Sequence, residues 1–171
     1  MTKSQLILGG ARSGKSQRAL ALAEAAGGAR RCFLATAEAF DEEMAERIAH
    51  HRAERGVGWE TIETPLNLAD AISDNASRET VCLVDCLTLW LSNLIHGGRD
   101  VEAESRKLCY SLQNTDGQVI LVSNELGLGL VPETPLGRRF RDAQGRLNQD
   151  IAAVCDRVEF VAAGLPVVLK G

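Results

Sequence analysis

Short runs of Val, Ile and Leu recur along the chain, and most are followed by stretches suited to helices. Runs at residues 5–8, 32–35, 81–84, 119–122, 158–161 and 167–169 predict strands, and residues 59–63 predict a weaker one. Several are apolar at nearly every position, which is the pattern of strands buried on both faces of a parallel sheet. Helices between them imply right-handed crossovers and a three-layer α/β sandwich. The last two runs are separated only by residues 162–166, too short for a parallel crossover. They are expected to pair antiparallel at one edge, where Pro166 is tolerated.

Four helices are read from the intervening stretches. Residues 16–26 are rich in Ala, Leu, Gln and Glu. A second helix is expected from Asp41, an N-cap residue followed by Glu42 and Glu43, with Met44, Ile48 and His51 or Arg52 as its inward stripe. Gly56 and Gly58 stop it. Residues 87–95 form the third. Residues 135–155 form the fourth, with Leu136, Phe140, Ala143, Leu147, Ile151 and Val154 on one face.

Composition narrows the function classes. The length of 171 residues fits one domain with a real core, and a net charge of −4 provides no electrostatic pull towards nucleic acid or an anionic membrane. No apolar run is long enough to span a bilayer. Residues 1–5 lead straight into the first strand, so no signal peptide is expected. The five cysteines (Cys32, Cys82, Cys86, Cys109, Cys155) form no C-x-x-C pair and read as buried thiols in a reducing cytoplasm. Three histidines lack zinc-finger spacing with them, which argues against a structural metal.

Candidate chemistry starts at Gly9-Gly10-Ala11-Arg12-Ser13-Gly14-Lys15-Ser16, which reads G-x-x-x-x-G-K-S between a strand and a helix. In such a P-loop, backbone N–H groups and a helix N-terminus face phosphate oxygens. Lys15 reaches the β and γ phosphates, and the Ser16 hydroxyl can sit on Mg²⁺. The chain is therefore expected to bind a nucleoside triphosphate in a P-loop NTPase-like sandwich. Asp85 ends the third strand run at the edge where ligands sit in open α/β sheets. It reads either as a second Mg²⁺ ligand or as the cap of the next helix, and the P-loop favours the first. Ser123-Asn124-Glu125 again places polar groups after a buried strand, and an apolar loop, residues 126–132, follows; it reads as a substrate-closing loop or as a plain strand exit. Arg138, Arg139, Arg141 and Arg146 load the last helix with charge, either as a solvated face or towards phosphates or a neighbouring subunit. Taken alone, His50 and His51 read as two solvated histidines, one paired with a glutamate.

Several stretches together resemble the bifunctional adenosylcobinamide kinase / adenosylcobinamide-phosphate guanylyltransferase family of cobalamin biosynthesis. They are the P-loop; Ala35-Thr36-Ala37; Asp41-Glu42-Glu43-Met44 through Arg47-Ile48-Ala49-His50-His51-Arg52; Asn124-Glu125-Leu126-Gly127-Leu128-Gly129-Leu130-Val131-Pro132-Glu133; and Phe140-Arg141-Asp142 through Gly145-Arg146-Leu147-Asn148-Gln149. The resemblance runs from Leu6 to Lys170 and is weakest at residues 95–118. It implies that His50 takes GMP from GTP as a phosphoramidate, reversing the bland reading of that residue. A neutral imidazole, whose unperturbed pKa is near ~6.5, has a lone pair for that attack. The resemblance also implies phosphorylation of adenosylcobinamide by ATP or GTP, with Lys15, Ser16 and Asp85 positioning nucleotide and Mg²⁺. GMP then passes to adenosylcobinamide phosphate, giving adenosylcobinamide-GDP. Further nucleotide contacts implied by the resemblance are Ala35, Thr36, Ala37, His51, Arg52, Ala53, Glu54 and Glu63. The family is cytoplasmic and resembles a homotrimer, which would give the arginine-rich helix or residues 87–95 an interface to bury.

Two rival readings stay open on sequence: a simple P-loop kinase with a structural His50, and a non-catalytic nucleotide switch. An N-K-x-D guanine-reading motif is absent, which counts against the switch.

Overall fold

The computed structural model describes residues 3–37 and 58–171; the helix expected from Asp41, and with it His50, His51, Arg52, Ala53 and Glu54, lies outside the described residues. The seven apolar runs form β1 (Ser4–Gly9), β2 (Arg30–Ala35), β3 (Trp59–Glu63), β4 (Thr80–Asp85), β5 (Gln118–Asn124), β6 (Arg157–Ala162) and β7 (Leu165–Lys170). They build one sheet in the order β3-β2-β4-β5-β1-β6-β7. All neighbours are parallel except β6 and β7, which pair antiparallel with Val161 opposite Pro166. The expected edge hairpin is present. Its turn uses Ala163 and Gly164 at φ 51° and 79°, the left-handed pair a two-residue hairpin connection requires.

The described helices are α1 (Lys15–Ala25), α2 (Leu68–Asn75), α3 (Leu87–His96), α4 (Val101–Asn114) and α5 (Pro135–Val154). Alternation along the strands sorts side chains to two faces. Leu6, Leu8, Leu34, Val84, Val119 and Leu121 pack with α2 to α5, whereas Ile7, Phe33, Leu83, Ile120 and Val122 pack with Ala19 and Ala23 of α1. No helix among the described residues is long and apolar enough to cross a membrane.

Two expectations change. The apolar pattern does not predict helices α2 and α4: α2 is only eight residues long, and α4 buries Glu104, Ser105 and Ser111 beside Leu108 and Leu112, which breaks its apolar stripe. Leu136, expected to face inward on α5, is 61% exposed, while Gln144 and Asn148 are buried there instead. Leu87, Trp90, Leu91 and Leu94 are consumed by the chain's own core. The cysteines are all free, and only Cys109 is not fully buried.

Candidate active site

Every strand-end residue singled out from the sequence reaches the same rim of the sheet, where the parallel strands finish. Ala35 lies in register with both Glu63 and Asp85, Asp85 with Val122, and Gly9 with both Asn124 and Val161. Parallel pairing therefore lines up the exits of β3, β2, β4, β5, β1 and β6 along one rim, the side of an open α/β sheet on which ligands bind.

The P-loop curves off β1 at this rim. Gly14 has φ 94° and is the N-cap of α1, so the chain turns directly from loop to helix with no side chain in the way. Gly9 is constrained by contact: a Cβ there would collide with the Ser13 hydroxyl and lie 2.6 Å from the Val161 carbonyl. The loop is braced from the chain's far end, where the Gly164 N–H donates to the Ser13 carbonyl at 2.8 Å. Arg18, one turn into α1, forks onto the fully buried Glu159 of β6 (2.8 and 3.0 Å), and Arg157 shares that carboxylate. These cations hold the Glu159 carboxyl below its ordinary pKa, Arg18 through its hydrogen bonds first.

Lys15 is buried, and its ammonium donates to the Gly10 carbonyl at 3.0 Å, so it lies across the loop rather than in solvent. Burial lowers its pKa, and the charges of Cys86 and Asp85 oppose that shift. Lys15 and Asp85, distant in sequence, thus belong to one end of the sheet. The Ser13 hydroxyl is buried without a hydrogen-bond partner, whereas Ala11 and Arg12 are exposed on the outer side of the loop, Arg12 at φ 55°. A buried donor with no partner, beside a loop of converging N–H groups, is what a phosphate oxygen satisfies.

The N-cap position of α3 is Cys86, one residue after Asp85. The Asp85–Cys86 peptide is cis. Thr36 is fully buried. Its hydroxyl reaches the carbonyls of Asp85 (3.0 Å) and Cys86 (2.8 Å), and it accepts from the Cys86 N–H (2.8 Å). Its hydroxyl is therefore committed to the β4 exit, while Ala35 and Ala37 on either side are partly exposed. Glu63 is exposed at the end of β3. The Cys86 thiol is pushed up to about 11 by burial and then by the Asp85 charge, so it is no nucleophile at neutral pH.

Four supporting residues escape a reading of the sequence alone. Asn93 of α3 donates to the Thr36 carbonyl (2.7 Å) and the Pro65 carbonyl (3.1 Å), tying the exits of β2 and β3. Thr88 accepts from the Asn124 N–H at 3.0 Å. Gln144 and Asn148 of α5 form a buried triangle with Ser123 (2.7–3.0 Å), and Asn148 also donates to the Asn124 carbonyl at 3.0 Å. The available signal is two amides four residues apart on a face that should be apolar.

Hard oxygen donors at this rim, the Ser16 hydroxyl in the first turn of α1 and the Asp85 carboxylate, suit Mg²⁺ rather than a thiophilic metal. The arrangement suits a polyphosphate, with a cation and a carboxylate at the same rim.

Comparison with known proteins adds the chemistry's class. A family model described as CobU, cobinamide kinase / cobinamide phosphate guanyltransferase, matches residues 5–169. The chain is 50% identical over 168 residues to the bifunctional adenosylcobalamin biosynthesis protein CobP of Pseudomonas aeruginosa, covering 97% of this chain and 96% of that one. It is 37% identical over 180 residues to the bifunctional adenosylcobalamin biosynthesis protein CobU of Escherichia coli, covering 96% and 98%. Among solved structures, the flagellar accessory protein FlaH of Methanocaldococcus jannaschii superposes with TM-score 0.55 at 12% identity, covering 98% of this chain and 78% of that one. An ATPase domain superposes with TM-score 0.51 at 14% identity, covering 93% and 69%. These last two share the fold and say nothing about substrate.

Proposed function

The chain belongs to the cobinamide kinase / cobinamide phosphate guanyltransferase family, and from that premise we propose how one domain divides the two reactions among its residues. It is a bifunctional enzyme of cobalamin biosynthesis: it phosphorylates adenosylcobinamide with ATP or GTP, then transfers GMP from GTP to adenosylcobinamide phosphate. The observation that supports the assignment of roles is the shared rim, where β1 runs into the P-loop that carries Lys15 and β4 ends at Asp85.

In the kinase step the aminopropanol hydroxyl attacks the γ-phosphorus. A new P–O bond forms as the bond to the β–γ bridging oxygen breaks, the hydroxyl proton leaves to solvent, and the nucleoside diphosphate departs. Lys15 and the loop N–H groups stabilise the charge that gathers on phosphate oxygens, a contribution of about 10²–10³ in rate for one well-placed donor. Ser16 and Asp85 are the residues that would hold Mg²⁺, which would supply charge neutralisation at the phosphates. Glu63, Ala35 and Ala37 line the nucleotide's side of the rim, and Thr36 keeps Asp85 in place from beneath.

In the guanylyl step His50 is the nucleophile, by its position in the family motif. One imidazole nitrogen bonds to the α-phosphorus as pyrophosphate leaves. The phosphate of adenosylcobinamide phosphate then attacks the same phosphorus, breaking the P–N bond. His51, Arg52, Ala53 and Glu54 contact the nucleotide in this reading. The enzyme works as a cytoplasmic homotrimer. The β7 edge supports an assembly, since Leu165, Val167, Val168 and Leu169 are 48–70% exposed.

Incubation with GTP labelled at the α-phosphate tests the assignment. Wild type acquires acid-labile, base-stable label, and His50→Ala acquires none while still phosphorylating adenosylcobinamide. Label retained by His50→Ala would remove it as the nucleophile. Chelation with EDTA stops both turnovers, and added Mg²⁺ restores them.

A further inference from the structure

Among the described residues, two stretches hold several large apolar side chains in solvent. One is β7 at the sheet edge. The other is the connection from β5 to α5 with the first turn of that helix, where Leu126, Leu128, Leu130, Val131 and Leu136 are 37, 81, 96, 66 and 61% exposed. An apolar patch of this kind, set beside a catalytic rim, marks a binding surface.

The second stretch starts on the phosphate cradle itself. The Glu125 N–H donates to the Gly9 carbonyl at 3.0 Å, and the preceding residue, Asn124, is in register with Gly9. It is held at both ends. The Glu125 carboxylate accepts from the Gly127 N–H. At the far end Arg138 donates to the carbonyls of Pro132 (3.0 Å) and Glu133 (2.7 Å), and Thr134 caps α5 through the Gly137 N–H (3.1 Å). Gly127 and Gly129 alternate with the leucines, so the apolar side chains stand apart with nothing between them. A tethered loop that shows leucines to solvent is built to be covered.

The substrates of the two reactions say by what. Each is a corrin macrocycle with broad methyl-bearing faces and a reacting group at the end of an amide arm. The arm must enter the rim, so the ring must rest beside it. We propose that residues 126–136 form the surface on which the corrin ring lies in both reactions, with Leu128, Leu130 and Val131 as its contact residues. This rests on the functional reading above for the identity of the substrate, and on the structure for the place.

The test uses the full-length enzyme with Leu128→Ser, Leu130→Ser and the double variant. Both side chains are exposed, so the melting temperature should stay at the wild-type value. Adenosylcobinamide is titrated in the kinase assay and adenosylcobinamide phosphate in the guanylyl assay, each at saturating nucleotide. The half-saturating corrinoid concentration should rise in both assays by a similar factor, on the order of tenfold per substitution. Labelling from GTP alone uses no corrinoid, and neither its extent nor its GTP dependence should move. Corrinoid half-saturation unchanged in the double variant, with normal wild-type turnover, overturns the surface assignment. So does a change in sedimentation mass, which would make the loop a subunit contact. A wild type that turns over no corrinoid would instead overturn the substrate reading beneath it.

Discussion

The two rims of the sheet are built from similar residue types and use them in opposite ways. Where the strands begin, charged groups neutralise one another or the backbone. Asp156 accepts from the N–H groups of Lys3 (2.7 Å) and Ser4 (3.1 Å), Lys3 reaches Asp116 at 3.2 Å, and Arg30 reaches Glu60 at 2.7 Å. Where the strands end, neutral side chains satisfy the backbone: Thr36 and Asn93 hold carbonyls, and Asn148 holds Asn124. That leaves the Lys15 ammonium and the Ser13 hydroxyl directed at the phosphate cradle. Paired charges at the first rim stabilise the sheet, whereas the second rim holds its lysine on a loop carbonyl beside the phosphate cradle.

Lys15→Ala is the strongest test of this contrast. Phosphorylation of adenosylcobinamide should fall by at least about 10²–10³, as expected for a lost transition-state donor. The urea midpoint should barely move, because one hydrogen bond to a loop carbonyl is lost. A large stability loss with modest rate loss would place Lys15 among the structural residues.

Thr36→Val keeps the shape and removes the hydroxyl, leaving the Cys86 N–H buried and unpaired. We expect a stability loss of about 1–3 kcal/mol by urea denaturation. Turnover should also drop, on the order of tenfold, because the β4 exit that carries Asp85 is freed. Unchanged turnover at reduced stability would separate the lower layer of the rim from catalysis.

Asp156→Asn should have the smallest effect, with turnover unchanged and stability at pH 7 lower by about 1 kcal/mol or less, since the site is largely solvated. Backbone hydrogen bonds from Ser4 and then Lys3 depress the Asp156 pKa. Its contribution is therefore present above the ordinary aspartate value near ~3.9 and disappears as pH falls through the lower folded value. The gap between variant and wild type should close in acid. A gap that persists there would mean that the carboxylate's charge is not what stabilises the start of β1.

Legibility follows the same division. The P-loop, Asp85 and the β6–β7 edge pair can be read from the chain because each depends on neighbours in sequence: glycines at a turn, a strand's last residue, a connection too short to cross over. Helices α2 and α4 cannot, because one is a brief segment and the other buries serines and a glutamate that only their partners make tolerable. Glu104 is admissible inside because Arg99 and Lys107 meet it at 2.8 and 3.0 Å. Leu136 and Gln144 exchange their expected places for a related reason. Helical periodicity defines a stripe, but the neighbouring elements decide where along the helix that stripe is covered.

What the chain settles by itself is local: strand, turn and helix type, and the glycine-lined curve before Lys15, since these depend on backbone sterics and side-chain period. What tertiary structure alone decides is which exits adjoin. Strand order sets β4, β5 and β1 side by side, and parallel register then brings Asp85 towards Lys15 and the leucine loop to the cradle. No local pattern encodes that adjacency, because it comes from burying both faces of one sheet at once.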